Sequence, residues 1–330
     1  MGRRQLSRRR RALRAVVISN GDLRIVERSV PEPAADQVLV EVRGAGVNRA
    51  DLLQRLGRHP APPGWPDDVP GLELAGVVAA VGESVGSLQP GDAVFGIVGG
   101  GAHATHALTT ESLCVPVSRG LDLVEAGGVP EVFITAHDAL ITQAEVRPGE
   151  RVLIHGVGSG VGTALVQLVR AIGAQSVGTA RTPEKLDRAR DLGLDDAVLA
   201  GPDMAAAIGE VDAVVDLVGG DYMEVDVKVC RPQGRIVLVG LLAGAGAHLD
   251  LGRILTRRLV IRGTVLRSRP EWQKAQATAA FAAQVAPLFE RKILRPVIDR
   301  VVPLGSAADA YDALASNEAF GKLVLAPEGV

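Results

Sequence analysis

The sequence predicts a chain of α/β plus β class, with an all-β, barrel-like unit joined to a doubly wound α/β unit built on a parallel sheet. Three observations predict it. The length of 330 residues exceeds the usual size of a single core. Before about residue 130, short apolar runs are separated by turn residues, the habit of small β units. From about residue 150, apolar strands alternate with helical patterns, which predicts right-handed βαβ units.

The strands of the first unit are read as RAVVI, LRIVE, QVLVEVRGAGVN, LELAGVVAAVG and DAVFGIV, with PEPAAD and QPGD as punctuation. Those of the second are RVLIH (151–155), QSVGTA (175–180), DAVLA (196–200), VDAVVDLVG (211–219), GRIVLVG (234–240) and LVIRGTV (259–265). Six such strands make a Rossmann domain. EWQKAQATAAFAAQVAPLFERK then carries one long helical pattern, and ILRPVIDRVVPL and GKLVLAP return to β periodicity. The C-terminus is therefore expected to rejoin the first unit.

Composition excludes several classes. Hydrophobic residues make up 47% and charged residues 22%, and no apolar run approaches the roughly 18 to 20 residues of a membrane span. The formal net charge is -2 although seven arginines fall within the first fourteen residues, so the remainder is acidic and unsuited to nucleic acid. Segment 1–14 lacks interleaved aromatics and a following apolar run, and reads as a disordered, solvated tail. With no signal or anchor pattern, a cytoplasmic protein is expected. Cys114 and Cys230 suit a reducing compartment and cannot form a cysteine-rich zinc site.

Residues 153–164 read LIHGVGSGVGTA, with Gly156, Gly158, Gly160 and Gly162 on alternate positions. No frame gives G-x-G-x-x-G. The context nevertheless suits a phosphate loop: a buried strand precedes it, and Val161, Leu165, Leu168, Val169 and Ile172 follow at helical spacing up to Gly173. A glycine-rich turn without a ligand is the alternative. A cofactor with a free ribose 2'-hydroxyl usually meets an acid about 20 residues beyond such a loop. Here the strand end reads TARTPEK, and Arg181 stands 19 residues after Gly162. Thr179, Arg181 and Lys185 offer donors suited to a 2'-phosphate, which favours NADPH. Two solvated charges opening a helix are the alternative.

The ordered strings GAGVNRADLLQRLGR, PGLELAGVVAAVGESV, PGDAVFGIVGGG, PEVFITAHDAL, IHGVGSGVGTALVQL, LRSR and AFGKLVL resemble the quinone oxidoreductases, the zinc-free branch of the medium-chain dehydrogenase/reductases, and within it the tumour-suppressor-inducible type. The resemblance spans Ala15 to about Ala326. It implies a GroES-like catalytic domain (15–127 and 269–330), a Rossmann domain (128–268) inserted into it, and an active-site cleft at their junction. In this family the first loop ends in A-x-S-G-V-G, matched here by Ser159, Gly160, Val161 and Gly162, so the broken fingerprint is a shared departure. Gly158 belongs to the same loop.

The resemblance also implies the site. Asn48 corresponds to a residue beside the nicotinamide and is expected to hold cofactor or donate to a developing oxyanion, or else to fix its own turn. Thr135 matches a position near the nicotinamide carboxamide, or bonds its own helix. Arg267 and Ser268 are expected on the cofactor, with Arg269 as readily a surface charge, and Asn317 and Lys322 are expected to help close the cleft. Gly219 and Leu241, after two strands of the Rossmann domain, complete the expected cofactor contacts. Asp51 is expected to open a short helix. Zinc-dependent relatives place Cys and Gly-His-Glu where this chain has Asn48 and Gly71, Leu72, Glu73, so no metal is expected, and His103 and His106 lack a third ligand. Close relatives carry a Tyr near the substrate where this chain has Arg58 and His59. His59 is a candidate proton donor, or an exposed loop histidine, and Trp65 is a candidate aromatic wall or a cap on the β domain.

Without a metal the substrate must already accept electrons well. The expectation is NADPH-dependent reduction of small-molecule quinones or conjugated enones by hydride from nicotinamide C4, with Asn48 and His59 as catalytic residues. Enoyl-thioester or 2-alkenal reduction is the alternative within the same structural family. A nucleotide-binding, non-enzymatic protein, as lens members illustrate, is the alternative from another class. No nucleic acid and no membrane are expected as partners. By analogy, RIVLVG and HLDLGRILTRRLVIRG are expected to form a homodimer through sheet extension.

Overall fold

The computed structural model describes residues 12–327. Fifteen strands among these residues fall into a hairpin and two larger sheets. The hairpin pairs β1 (Ala12–Ser19) with β2 (Asp22–Ser29) around Asn20 and Gly21, both at positive φ. The seven-stranded sheet contains β3 (Gln37–Val47), β4 (Glu73–Val81), β5 (Ala93–Ile97), β6 (His106–Thr110) and β7 (Cys114–Pro116).

The second sheet is parallel throughout: β8 (Arg151–His155), β9 (Gln175–Ala180), β10 (Asp196–Leu199), β11 (Val211–Asp216), β12 (Cys230–Leu238) and β13 (Val260–Gly263). Its order, β10-β9-β8-β11-β12-β13, is the doubly wound Rossmann arrangement, and the site lies where the order reverses at β8. The chain then returns through β14 (Ile298–Pro303) and β15 (Lys322–Ala326), and β15 pairs antiparallel with β3. The C-terminus thus completes the first domain, giving a GroES-like unit beside a Rossmann unit. The apolar GKLVLAP run needed that partner: Leu323, Val324 and Leu325 are all buried.

One apolar cluster locks the units together. It runs from Phe95 and Val115 of the β domain through Val132 and Phe133 to Ile154 and Val215 of the parallel sheet. Phe95 meets Phe281 edge-on at 5.7 Å between ring centres, and Phe133 meets Phe289 at 4.8 Å. Because the helix Pro130–His137 sits inside this cluster, residues on its open face are held rigidly.

The structure departs from the sequence reading at three points. The expected tail 1–14 lies mostly outside the described residues, but Ala12, Leu13 and Arg14 already belong to β1, whose Leu13 is buried. The segments HALTT and CVP form β6 and β7, too short and too mixed in polarity to read as strands. The long helix divides at Val285 into Glu271–Gln284 and Ala286–Glu290, since Pro287 has no N–H to continue the ladder.

Candidate active-site cleft

The cleft is assembled from β3's end outward. Asn48 precedes the helix Arg49–Arg55, and the Asp51 carboxylate accepts from Asn48 N at 2.7 Å and from Gly71 N at 3.0 Å. Asp51 is fully buried, in the helix-opening role expected of it. The Asn48 carboxamide is committed to its neighbours. Its Nδ2 donates to Glu73 Oε1 at 2.9 Å and to Gly46 O at 3.3 Å, and its Oδ1 accepts from Lys322 Nζ at 2.7 Å. With both amide hydrogens engaged, the expected donation to a developing oxyanion is not available in this geometry.

Lys322 is the hub. Its ammonium reaches Glu73 Oε1 at 2.6 Å, Asn48 Oδ1 and Val47 O (2.9 Å), which uses all three N–H donors inside protein. The Glu73 side chain approaches Gly46 so closely that a Cβ there would lie 2.1 Å from Oε1. The other Glu73 oxygen accepts from Glu131 N at 2.9 Å and so fixes the start of the helix Pro130–His137. In that helix six of eight residues are buried, and the two that are not, Glu131 and Thr135, stand one turn apart on one face. No hydrogen bond engages either side chain among the described residues. Burial, and then the Glu73 carboxylate, push the Glu131 carboxyl up to about 8.

The glycine loop faces this helix. Gly156 has φ +74°, Ser159 Oγ accepts from Gly162 N at 3.0 Å to cap the helix Gly160–Ile172, and Gly173 closes that helix at φ +83°. A Cβ on Gly162 would lie 2.3 Å from Gly156 O, so loop and helix meet without a side chain between them. Gly160 has the same need from the other side, with Lys322 Cδ 2.6 Å and Val132 Cγ1 3.0 Å from a notional Cβ. Val161 lies half-buried in the first helical turn, and Gly321 N donates to Gly158 O at 2.9 Å, tying loop to C-terminal segment.

At the end of β9 the expected trio separates. Thr179 points inward, buried, and its hydroxyl meets His155 Nδ1 at 2.8 Å, while His155 Nε2 meets buried Asp226 at 2.8 Å. Thr179 is therefore not a phosphate ligand, because strand alternation turns it into the Rossmann core. Lys185 is half-buried and donates to the carbonyls of Asn317 (2.5 Å) and Ala319 (2.9 Å). Arg181 is exposed with no partner among the described residues. Asn317, at φ +59°, accepts from Arg49 at 2.6 Å through Oδ1, so it joins the cleft's two sides rather than offering its carboxamide to a ligand. Burial and then Arg181 lower the pKa of both Arg49 and Lys185, with Arg188 a further repulsive charge on Lys185. These four cations crowd beside a helix N-terminus, an arrangement that suits an anion.

Arg267 departs from expectation. It is 5% exposed, and its guanidinium donates to Gly99 O, to His59 O at 2.9 Å and to Gln54 Oε1 at 2.6 Å, so it clamps loops and has no fork left for a phosphate. Ser268 beside it is exposed. Arg269 is no surface charge either, since it forms a two-pronged ion pair with buried Asp138. Burial, followed by Arg267, lowers the His59 pKa, leaving a neutral imidazole that is a poor acid at neutral pH. Trp65 packs on Gly99, where a Cβ would lie 2.5 Å from the indole, and Lys274 Nζ stands 5.9 Å from its ring centre. Gly219, at φ +68°, and Leu241 are neighbours across the β11 and β12 ends. Glu131 was not among the sequence candidates. Its signal was an acid opening a helix four residues before Thr135.

Metal chemistry fits these side chains poorly. Asn48 and Leu72 offer neither thiolate nor imidazole, and the Lys322 ammonium already neutralises Glu73 where a cation would sit. His103 is buried and spent on the Tyr311 hydroxyl (3.0 Å) and Gly46 O (3.2 Å), and among the described residues no group of three or more His, Cys, Asp or Glu is placed to hold a metal.

Comparison with known proteins gives the same frame. Residues 34–145 match the alcohol dehydrogenase GroES-like domain, and residues 160–280 the zinc-binding dehydrogenase model. The chain is 33% identical to the quinone oxidoreductase of Sus scrofa over 306 residues, covering 90% of this chain and 91% of that one. It is 35% identical over 306 residues to the spectinabilin polyketide synthase protein NorB of Streptomyces orinoci, covering 89% of this chain and 13% of that protein. An alcohol dehydrogenase superfamily protein from Novosphingobium aromaticivorans superposes with TM-score 0.86 at 31% identity, over 96% of this chain and all of that one. The CurK enoyl reductase superposes with TM-score 0.83 at 25% identity, over 96% and 99%.

Proposed function

The chain belongs to the medium-chain dehydrogenase/reductase family, among relatives of the quinone oxidoreductases, and from that premise we propose an NADPH-dependent, metal-independent reductase of quinones or related conjugated carbonyls. One observation carries the reading: a glycine loop capped into a helix N-terminus faces a strand end that bears no acid and bears Arg181, which has no partner among the described residues.

The nicotinamide, when bound, supplies the hydride and both electrons. The chain does the rest. The amides of Gly160 and Val161 at the helix N-terminus, together with the helix dipole, take the pyrophosphate, and Arg181 takes the 2'-phosphate with Lys185 and Arg49 adding positive potential. Thr135 offers the carboxamide a hydroxyl that has no partner among the described residues. Lys322, Glu73 and Asn48 hold the wall of the cleft and keep it neutral overall, so developing charge on a substrate oxygen is not opposed by an unpaired carboxylate. A substrate with a conjugated carbonyl needs no Lewis acid.

Enoyl-thioester or 2-alkenal reduction is the second reading, favoured by the likeness to NorB and CurK. The test is NADPH oxidation with a 1,2-quinone, a 2-alkenal and an enoyl thioester, each against controls without substrate. Turnover of the quinone supports the first reading and exclusive turnover of the thioester the second. Tight NADPH binding without turnover would favour a non-enzymatic nucleotide-binding protein.

A homodimer is proposed on the exposed edge of the parallel sheet. β13 is an edge strand whose Val260 and Ile261 are exposed, and the adjacent helix Leu251–Arg257 exposes Leu251 (71%) and Leu255 (77%) one turn apart. Among the described residues no helix is long and apolar enough to cross a membrane, and a cytoplasmic location is part of the same reading.

A further inference from the structure

We propose that Glu131 is the proton donor of this cleft, its carboxylic acid delivering a proton to the oxyanion left when a conjugated carbonyl has been reduced. The inference rests on the reductase reading above. It begins from position. Glu131 and Thr135 are the two half-buried residues of the helix Pro130–His137, one turn apart on one face, and Glu73, Lys322 and Asp51 stand near enough to act on the Glu131 charge. The next residue, Val132, packs within reach of Gly160, which places the start of this helix against the loop itself. The Glu131 main chain is pinned through its N–H to Glu73 Oε2, so the side chain springs from a fixed point.

The competing groups are all occupied. Lys322 spends its three donors on Glu73, Asn48 and Val47. Asn48 spends both amide hydrogens on Glu73 and Gly46. Asp51 accepts two backbone N–H groups, one on each oxygen, and His103 is locked between Tyr311 and Gly46. Glu131 alone among these carries a proton-holding group with no hydrogen-bond partner among the described residues.

Its surroundings set the protonation state. Burial and the facing carboxylates Glu73 on β4 and Asp51 on the helix Arg49–Arg55 favour the neutral acid. Lys322 on β15 and Arg267 after β13 pull the other way, and Lys274 on the helix Glu271–Gln284 also feels this carboxyl. The balance is an acid protonated at neutral pH, titrating at about 8.

The step balances simply. A conjugated carbonyl that has received hydride holds two added electrons, one added hydrogen and one negative charge on oxygen. The Glu131 O–H bond breaks and an O–H bond forms on the substrate. The carboxylate left behind recovers its proton from solvent, to which the half-buried Glu131 retains access.

Two measurements on wild type and Glu131→Gln test this. The first follows, by infrared difference spectroscopy without substrate, the carbonyl band of a protonated carboxylic acid through a pH titration. A band that disappears at about pH 8 in the wild type and is missing from the variant supports the assignment. A wild type with no such band at neutral pH overturns it. The second is the pH profile of kcat with NADPH and a 1,2-quinone. The wild-type rate should fall as pH rises through about 8, and the variant should lose that limb and roughly 10²-fold or more in kcat. A variant with wild-type kcat and the same limb overturns the proposal. No turnover by the wild type would instead overturn the reductase reading and the delivery step with it, while the infrared titration would still report whether Glu131 holds the proton.

Discussion

Lys322 and Glu73, 249 positions apart in sequence, form a 2.6 Å ion pair with side chains 4% and 0% exposed. It joins the last strand of the chain to β4, and Asn48 and the Glu131 N–H close around it. Cofactor loop, helix Pro130–His137 and C-terminal strand all meet at this pair.

Lys322→Met should therefore destabilise strongly, by about 3 to 5 kcal/mol, because it leaves Glu73 buried and uncompensated. Lys322→Met combined with Glu73→Gln should recover a large part of the loss. Chemical denaturation of the three proteins reads this, and equal midpoints for the single variant and the wild type would contradict it.

Stability should also respond to pH through Glu131. Its folded-state pKa of about 8 lies above the value near 4.3 of an unfolded glutamate, so between these limits the folded state binds more protons. This group's contribution then declines as pH rises from about 4.3 through 8, and it levels off above. Glu131→Gln should melt above the wild type on the alkaline side of that window and show no such advantage near pH 4. Thermal melts across the range are the measurement.

Gly162→Ala should impair cofactor binding more than it disturbs the parallel sheet. The added Cβ would sit 2.3 Å from Gly156 O and 2.7 Å from Val157 Cα, both backbone atoms that only a loop movement can displace. A rise in the NADPH dissociation constant of about tenfold or more, with little change in far-UV circular dichroism, is expected. Unchanged affinity would mean that the loop does not hold the dinucleotide.

Arg181→Ala should cost about 1.5 to 3 kcal/mol of NADPH binding, roughly 10- to 150-fold, and leave NADH affinity nearly unchanged. Calorimetry with both nucleotides checks it. Equal effects on the two would remove the 2'-phosphate from the reading.

Ile261→Asp on β13 should shift a homodimer to monomer, since it places a charge on the exposed apolar edge of the parallel sheet. Sedimentation velocity on variant and wild type decides it, and a wild type that sediments as a monomer would end the proposal.

Sequence alone was enough for the strands of the parallel sheet, the glycine loop before a helix, and the return of the C-terminus to the first domain. These are local matters of periodicity, turn chemistry and composition, and β8 and β9 begin and end where RVLIH and QSVGTA do. Only the tertiary structure decided what the polar side chains do. Thr179 looked like a phosphate ligand until His155 claimed its hydroxyl, and Arg267 until Gly99, His59 and Gln54 claimed its guanidinium. Asn48 looked like a free donor until Lys322 and Glu73 engaged both ends of its amide. Glu131 is set apart only by the fold, because an acid opening a helix is common and the sequence does not show that Glu73 and Asp51 come to face it. The physical reason is common to all four: a buried polar group must find partners, folding brings those partners from tens to hundreds of residues away, and the side chain left without one is the one free to meet a substrate.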